Sequence, residues 1–204
     1  ALPEAGDKRI GIGTAIVGIM QFRLTFSGIQ NHAGTTPMPI RKDAGVAMMR
    51  LYNDVMDRFP AVAGPRSVWT VGKMVLEPGA PAIVPGRAEM VLQFRDADQE
   101  ILQAFEAKLM EIVADHQKNS PCKVECVNLS RTQPLLMDER FLEAIEESAA
   151  VHAPDKHVRM PSGAGHDAMK LHEVMPQAML FVRGENAGIS HNPLEQTSAE
   201  DMEL

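Results

Sequence analysis

Gln21-Phe22-Arg23-Leu24-Thr25-Phe26, followed closely by Asn31-His32-Ala33-Gly34-Thr35-Thr36-Pro37-Met38, decides how the rest of the chain is read. In the first segment apolar Phe22, Leu24 and Phe26 alternate with Gln21, Arg23 and Thr25, a period of two that marks a half-buried strand. The second segment is a loop of small and hydroxylated residues with a histidine at the lip of that strand. Two readings of His32 stand at this level: a solvated polar turn, or a binding loop placed by a rigid scaffold. Glycine and small side chains there let a ligand approach the backbone closely.

Outward from this stretch the period changes. Met48, Leu51, Tyr52, Val55, Met56 and Phe59 recur at three and four, the inward stripe of an amphipathic helix that starts at Asp43 and ends at Pro60 and Gly64-Pro65. Ser67–Leu76 reads as a second strand, and Glu77–Pro81 as a turn-rich link. Met90, Leu92 and Phe94 mark a third strand. Ile101, Leu102, Phe105, Leu109, Ile112 and Val113 give a second helix capped by Asp98, and Lys123–Leu129 gives a fourth strand. The order β-α-β-β-α-β is that of the ferredoxin-like split βαβ unit, with two helices on one face of an antiparallel sheet.

After Arg131 the pattern is that of an α/β tail. A helix is expected over Asp138–Val151, with Phe141, Leu142, Ile145 and Ala149 inward. A glycine-rich turn at 161–168 leads to a helix over Ala168–Val174. The continuous apolar run Ala178–Val182 suits a parallel strand buried on both faces. The expected division is 12–130 for the ferredoxin-like domain, inserted into an α/β domain formed by 1–11 and 131–204.

The 204 residues allow one large or two small domains; 45% hydrophobic and 23% charged residues are ordinary for a globular protein. A net charge of -7 argues against a nucleic-acid partner, which selects a basic stripe. No apolar run reaches the ~20 residues that span a bilayer. Cys122 and Cys126, four strand residues and roughly 13 Å apart, are too distant for a disulfide, so both are expected as free thiols in a reducing, cytoplasmic setting. The 14 methionines read as core filler.

Asn31–Met38 resembles the lid-domain signature of the dinuclear-metal amidohydrolases related to aminoacylases and zinc carboxypeptidases. It is most similar to the branch of N-carbamoyl-L-amino acid hydrolases, allantoate amidohydrolases and beta-ureidopropionases. Val84–Glu89 with Gln93–Asp96, Pro161–Ala168 and Gly188–Pro193 resemble three further segments of that branch, in its order along the chain. The resemblance implies a lid and dimerisation domain inserted in a zinc-hydrolase domain, a homodimer formed through the lids, and two divalent metal ions, zinc or manganese, in the intact enzyme. It also implies a small N-carbamoyl or ureido carboxylate substrate whose linear C–N bond is hydrolysed.

Residue by residue, the resemblance makes His191 a metal ligand, Arg95 the clamp on a substrate carboxylate, Gly165 and His166 substrate contacts, and His32 a catalytic group reaching the partner subunit's site. Each has a plainer reading beside it. His191 could be a surface histidine, Arg95 a surface ion pair with Asp96 or Asp98, and the 161–168 turn a helix start capped by Asp167. His116, His152, His157 and His172 carry no motif and read as surface residues. The branch usually has an asparagine where this chain has Ala82, so its side-chain hydrogen bond to the amide or ureido group is lost, or supplied elsewhere. Most of the family's metal ligands precede the lid, and Ala1–Gly6 is similar to the stretch just after them. The chain is therefore expected to be part of a longer enzyme and inactive by itself. A non-catalytic dimerisation module, and a peptidase or deacylase of the same superfamily, are the competing readings.

Overall fold

The computed structural model describes residues 6–204. In chain order the elements are β1 (Ile10–Ile16), β2 (Gly18–Ser27), β3 (Asn31–His32), α1 (Ala44–Arg58), β4 (Val68–Glu77), β5 (Ile83–Val84), β6 (Arg87–Asp96) and α2 (Gln99–Asn119). They continue with β7 (Lys123–Thr132), β8 (Leu135–Leu136), α3 (Glu139–His152), β9 (His157–Ser162), α4 (Ala168–Leu171), β10 (Met179–Val182) and α5 (Ala199–Met202). Contacts divide the chain into two units, 18–133 and a second made of the segment up to Val17 with 134–204. The boundaries differ from those expected at 12 and 130 because each would cut a strand, β1 or β7, that stays whole.

The 18–133 unit is a four-stranded antiparallel sheet in the order β4-β6-β2-β7, the ferredoxin-like arrangement. Alternation along β2 and β6 sends Met20, Phe22, Leu24, Phe26, Ala88, Met90, Leu92 and Phe94 to one face, where α1 and α2 cover them. Asp43 starts α1 by accepting from the Val46 N–H at 3.1 Å, and Asp98 starts α2 by accepting from the Glu100 N–H at 2.7 Å. Phe59, Trp69, Phe94 and Phe105 meet beneath the helices, with centroids 4.9 Å apart for Phe59 and Phe105 and 5.3 Å for Phe94 and Phe105. Each buried phenylalanine contributes about 1.5–3 kcal/mol of transfer free energy. Met56, expected on the inward stripe, is 39% exposed, since the face of α1 narrows to Met48, Leu51 and Val55. The other face of the sheet is polar. On it Glu89 joins Lys73 of the edge strand β4 to Arg87, and the Lys73 ammonium, then Arg87, holds the Glu89 carboxyl below the usual glutamate range.

In the second unit β1 is the hub. It pairs antiparallel with β10 and β8 and parallel with β9, and α3 packs over it through Leu142 and Ala149. Three sequence expectations change here. The 178–182 run is not a parallel strand buried on both sides: β10 runs antiparallel to β1, and Leu180 and Val182 face outward. An unbroken apolar run signals burial without fixing direction, and here only one face has a cover. Phe141 is exposed, because inward positions of α3 are set by Leu142. The helix expected over 168–174 closes at Leu171 and continues as turns. The C-terminal turn is tied back by Asp201, 1% exposed, which accepts from Arg9 Nε at 2.5 Å, Arg183 Nη2 at 3.2 Å and Ser198 Oγ at 2.9 Å.

Candidate active-site residues

His32 lies on β3, which pairs with β5 through Asn31–Val84 and His32–Ile83 just beyond the end of the main sheet. The turn after it is laced to its own backbone. Thr36 donates both its N–H, at 3.2 Å, and its hydroxyl, at 2.6 Å, to the His32 carbonyl. The Arg41 guanidinium holds the carbonyls of Thr36 and Ala33, and the Ala33 N–H reaches the Ala82 carbonyl at 2.9 Å. Ala82 thus contributes to this loop through its backbone. The Gly34 N–H donates to His32 Nδ1 at 3.0 Å. Nδ1 is therefore the acceptor of the ring, and the neutral imidazole carries its proton on Nε2, on an exposed side chain.

The loop is placed by a close approach. A Cβ on Gly28 would stand 2.0 Å from the Lys42 carbonyl oxygen, which already accepts from the Ile29 N–H at 2.8 Å. Only glycine fits, and the contact brings the segment leading into His32 against the one leading into α1.

Arg95 is at the far end of β6, on the open face beside Gln93, paired with Ile19 of β2 and Val68 of β4. Its Nε donates to Gln93 Oε1 at 2.8 Å, which fixes the plane of the guanidinium fork. The carboxylates expected as its surface partners are engaged elsewhere: Asp96 is buried against Ser67 Oγ at 2.5 Å, and Asp98 caps α2. From Arg87, next to the His32 loop, to Arg95 is eight residues of extended chain, about 26 Å. The structure does not bring His32 and Arg95 together.

In the second unit, Ser162 ends β9, and the turn through Gly163, Ala164 and Gly165 returns His166 over it. His166 Nε2 lies 2.6 Å from Ser162 Oγ, and its ring meets Phe181 at a centroid distance of 5.8 Å. Asp167 makes no side-chain cap to α4, so the capping reading of this turn falls away. His191 sits in the long turn after β10, exposed and in the left-handed region at φ 56°. Glu195 holds it: Oε2 accepts from the His191 N–H at 2.9 Å, and Oε1 from Ser190 Oγ at 3.1 Å. Glu195 carried no signal in the sequence, since its role depends on the fold of the turn.

Among the described residues no group of three or more His, Cys, Asp or Glu side chains is placed to hold a metal ion. A catalytic zinc takes three protein ligands, and among the described residues His191 has no two such side chains grouped with it. His116, expected at the surface, is mostly covered and lies 2.7 Å from Asp54 Oδ2 through its Nε2. It lines a groove between α1 and the end of α2 with Met38, Arg41, Arg50 and Ser120, which none of His32, Arg95, His166 or His191 enters. Cys122 and Cys126 are free thiols; burial and, next, the Glu106 carboxylate push the Cys126 thiol up to about 11. No helix among the described residues is long and apolar enough to cross a membrane.

Comparison with known proteins covers the whole described chain. An amidase of the hydantoinase/carbamoylase family from Burkholderia phymatum superposes with a TM-score of 0.88 at 38% identity, over 98% of this chain and 48% of that one. The allantoate amidohydrolase of Bacillus subtilis (strain 168) is 32% identical over 201 residues, 98% of this chain and 48% of its own length. The N-carbamoyl-L-amino-acid amidohydrolase of Paenarthrobacter aurescens is 31% identical over 199 residues, with the same coverage. The chain spans about half the length of the curated relatives it matches. Residues 2–204 match the family model for peptidase family M20/M25/M40, and the chain belongs to that family.

Proposed function

We propose that this chain supplies the lid and part of the catalytic domain of a metal-dependent amidohydrolase, one that hydrolyses the linear amide or ureido C–N bond of an N-carbamoyl amino acid or allantoate-like carboxylate. The relatives' names support the substrate class, since they act on such compounds. His191 would contribute one ligand to a metal centre completed by residues beyond this chain. His32 and Arg95 bind and orient the substrate.

The observation that carries the reading is the separation of His32 from Arg95. His32 offers an exposed Nε2–H from a loop tied by hydrogen bonds at Ala33, Gly34 and Thr36, so little ordering is needed when a ligand arrives. Such a donor suits the oxygen on which negative charge develops as the C–N bond is attacked. Arg95, with its fork held by Gln93, suits a carboxylate gripped by two parallel hydrogen bonds. The two groups are at opposite ends of one sheet, so one molecule does not supply both to one substrate. A two-fold dimer does, each site taking His32 from one protomer and Arg95 from the other. The long edge strand β4, with Val68, Met74, Val75 and Leu76 partly exposed, gives such a dimer a surface to form on.

Subunit mixing tests this. His32→Ala and Arg95→Ala, each made in the whole protein, should separately abolish turnover of N-carbamoyl amino acids and allantoate. Mixed in equal amounts and allowed to exchange subunits, they should recover about a quarter of wild-type activity, because half the dimers are mixed and each holds one intact site. Absence of any recovery after verified exchange would reject the shared site.

A further inference from the structure

We propose that Ser162 is a positioning residue that sets the tautomer of His166, so that this imidazole meets substrate as a neutral Nδ1–H donor. Ser162 is 6% exposed and fixed at the end of β9, where it pairs with Ile16 and its carbonyl accepts from the Val17 N–H at 3.0 Å. Its hydroxyl oxygen accepts from the Ala164 N–H at 3.2 Å. The hydroxyl has one proton to give and two acceptors in reach, His166 Nε2 at 2.6 Å and the Ala164 carbonyl at 3.3 Å. The first distance is that of a short, strong O–H···N bond, and the second lies beyond the usual range for a hydroxyl donor. The proton therefore goes to Nε2, which must be unprotonated to receive it, and a neutral imidazole then carries its own proton on Nδ1.

The ring cannot easily exchange its two nitrogens. Phe181 lies against it, and Ser162 belongs to the sheet rather than to a mobile loop. The result is the opposite of the arrangement at His32, where a backbone N–H occupies Nδ1 and the proton sits on Nε2. Each histidine has one nitrogen engaged by the protein and the other left as a donor. An Nδ1–H donor on His166 fits an acceptor oxygen, a carboxylate or ureido carbonyl, and rejects an ammonium group at the same place. This selection rests on the reading of His166 as a substrate contact.

Two-bond proton–nitrogen correlation spectra of the histidine-labelled chain at alkaline pH read the tautomer directly, without metal or substrate. The Nδ1–H pattern is expected for His166, and an Nε2–H pattern would overturn the proposal. Ser162→Ala should shift His166 toward the Nε2–H form that free imidazole prefers, while Ser162→Thr, which keeps the hydroxyl, should hold the wild-type pattern. The wild-type spectrum suffices if either variant fails to fold. In the whole protein Ser162→Ala should then raise KM roughly tenfold with kcat little changed, the loss of one hydrogen bond. The Nδ1–H tautomer together with an unchanged KM would leave Ser162 its positioning role and remove His166 from the substrate site.

Discussion

In the 18–133 unit both helices and all four strands send side chains into one closed apolar core, whereas in the second unit the buried cluster reduces to Ile10, Ile12, Ile16, Met137, Leu142, Ala149 and Ala153. The second unit also leaves Leu136, Val151, Val174 and Leu180 in solvent. Hydrophobic stabilisation scales with area removed from water, so the two units differ in what holds them. The first rests on packing. The second leans on directional polar contacts, chiefly Asp201 with Arg9, Arg183 and Ser198, and Glu195 with His191. Its tie at Asp201 therefore responds to pH, and both sets of contacts respond to single substitutions.

The strongest way to break this contrast is to damage the better-packed core. Phe105→Ala removes the ring shared by Phe59, Trp69 and Phe94, and should cost about 3–5 kcal/mol. Trp69 is the chain's one tryptophan and sits in that cluster, so its fluorescence reports the 18–133 unit alone. In the wild type, urea should unfold part of the circular dichroism signal before the fluorescence changes; in Phe105→Ala the fluorescence midpoint should fall to meet it or precede it. Coincident wild-type transitions would mean that the units do not differ in stability.

A smaller effect is expected at Asp201. Arg9, then Ser198 and Arg183, hold its carboxyl below the usual aspartate value of 3.8. The stabilisation is complete above that value and is lost as pH falls through the lower folded one. The second unit should therefore loosen in acid below about pH 4 while Trp69 fluorescence persists, and Asp201→Asn should lose about 1–3 kcal/mol already at neutral pH, since its arginine partners stay partly in solvent. An acid transition unaltered by that substitution would remove Asp201 as the tie. The smallest effect concerns Cys126 on the edge strand β7. With its thiol pushed up to about 11, it should alkylate far more slowly at neutral pH than a free cysteine, followed by mass spectrometry. Rapid labelling would show that this edge opens, and that the tight core is less closed than it looks.

The first unit was legible in sequence for the same reason that it is well packed. Met20 to Phe26 alternates strictly, Ala88 to Phe94 does so apart from Val91, and Met48, Leu51 and Val55 repeat at helical spacing, so local pattern and tertiary contact agree. In the second unit they part. Strand β1 alternates isoleucine with glycine, and β9 contains Arg159 and Pro161; neither advertises a strand. The apolar 178–182 run says nothing of direction, which its partner β1 decides. Of the site, the exposed loop carrying His32 and the polar-face placement of Arg95 followed from spacing. Their separation required the strand order, and the protonated nitrogen of each imidazole required the hydrogen bonds made by Gly34 and Ser162, residues inside the segments read from sequence whose contacts only the fold shows.

The fit at Gly28 has an outcome for how a mutational survey of this protein would look. A single added methyl there, a few residues before the imidazole on β3, drives into the Lys42 carbonyl, one residue before the Asp43 cap. A screen scored on turnover would flag Gly28 as strongly as a residue that grips the ligand, although it has no side chain and the atoms nearest an added methyl are all backbone.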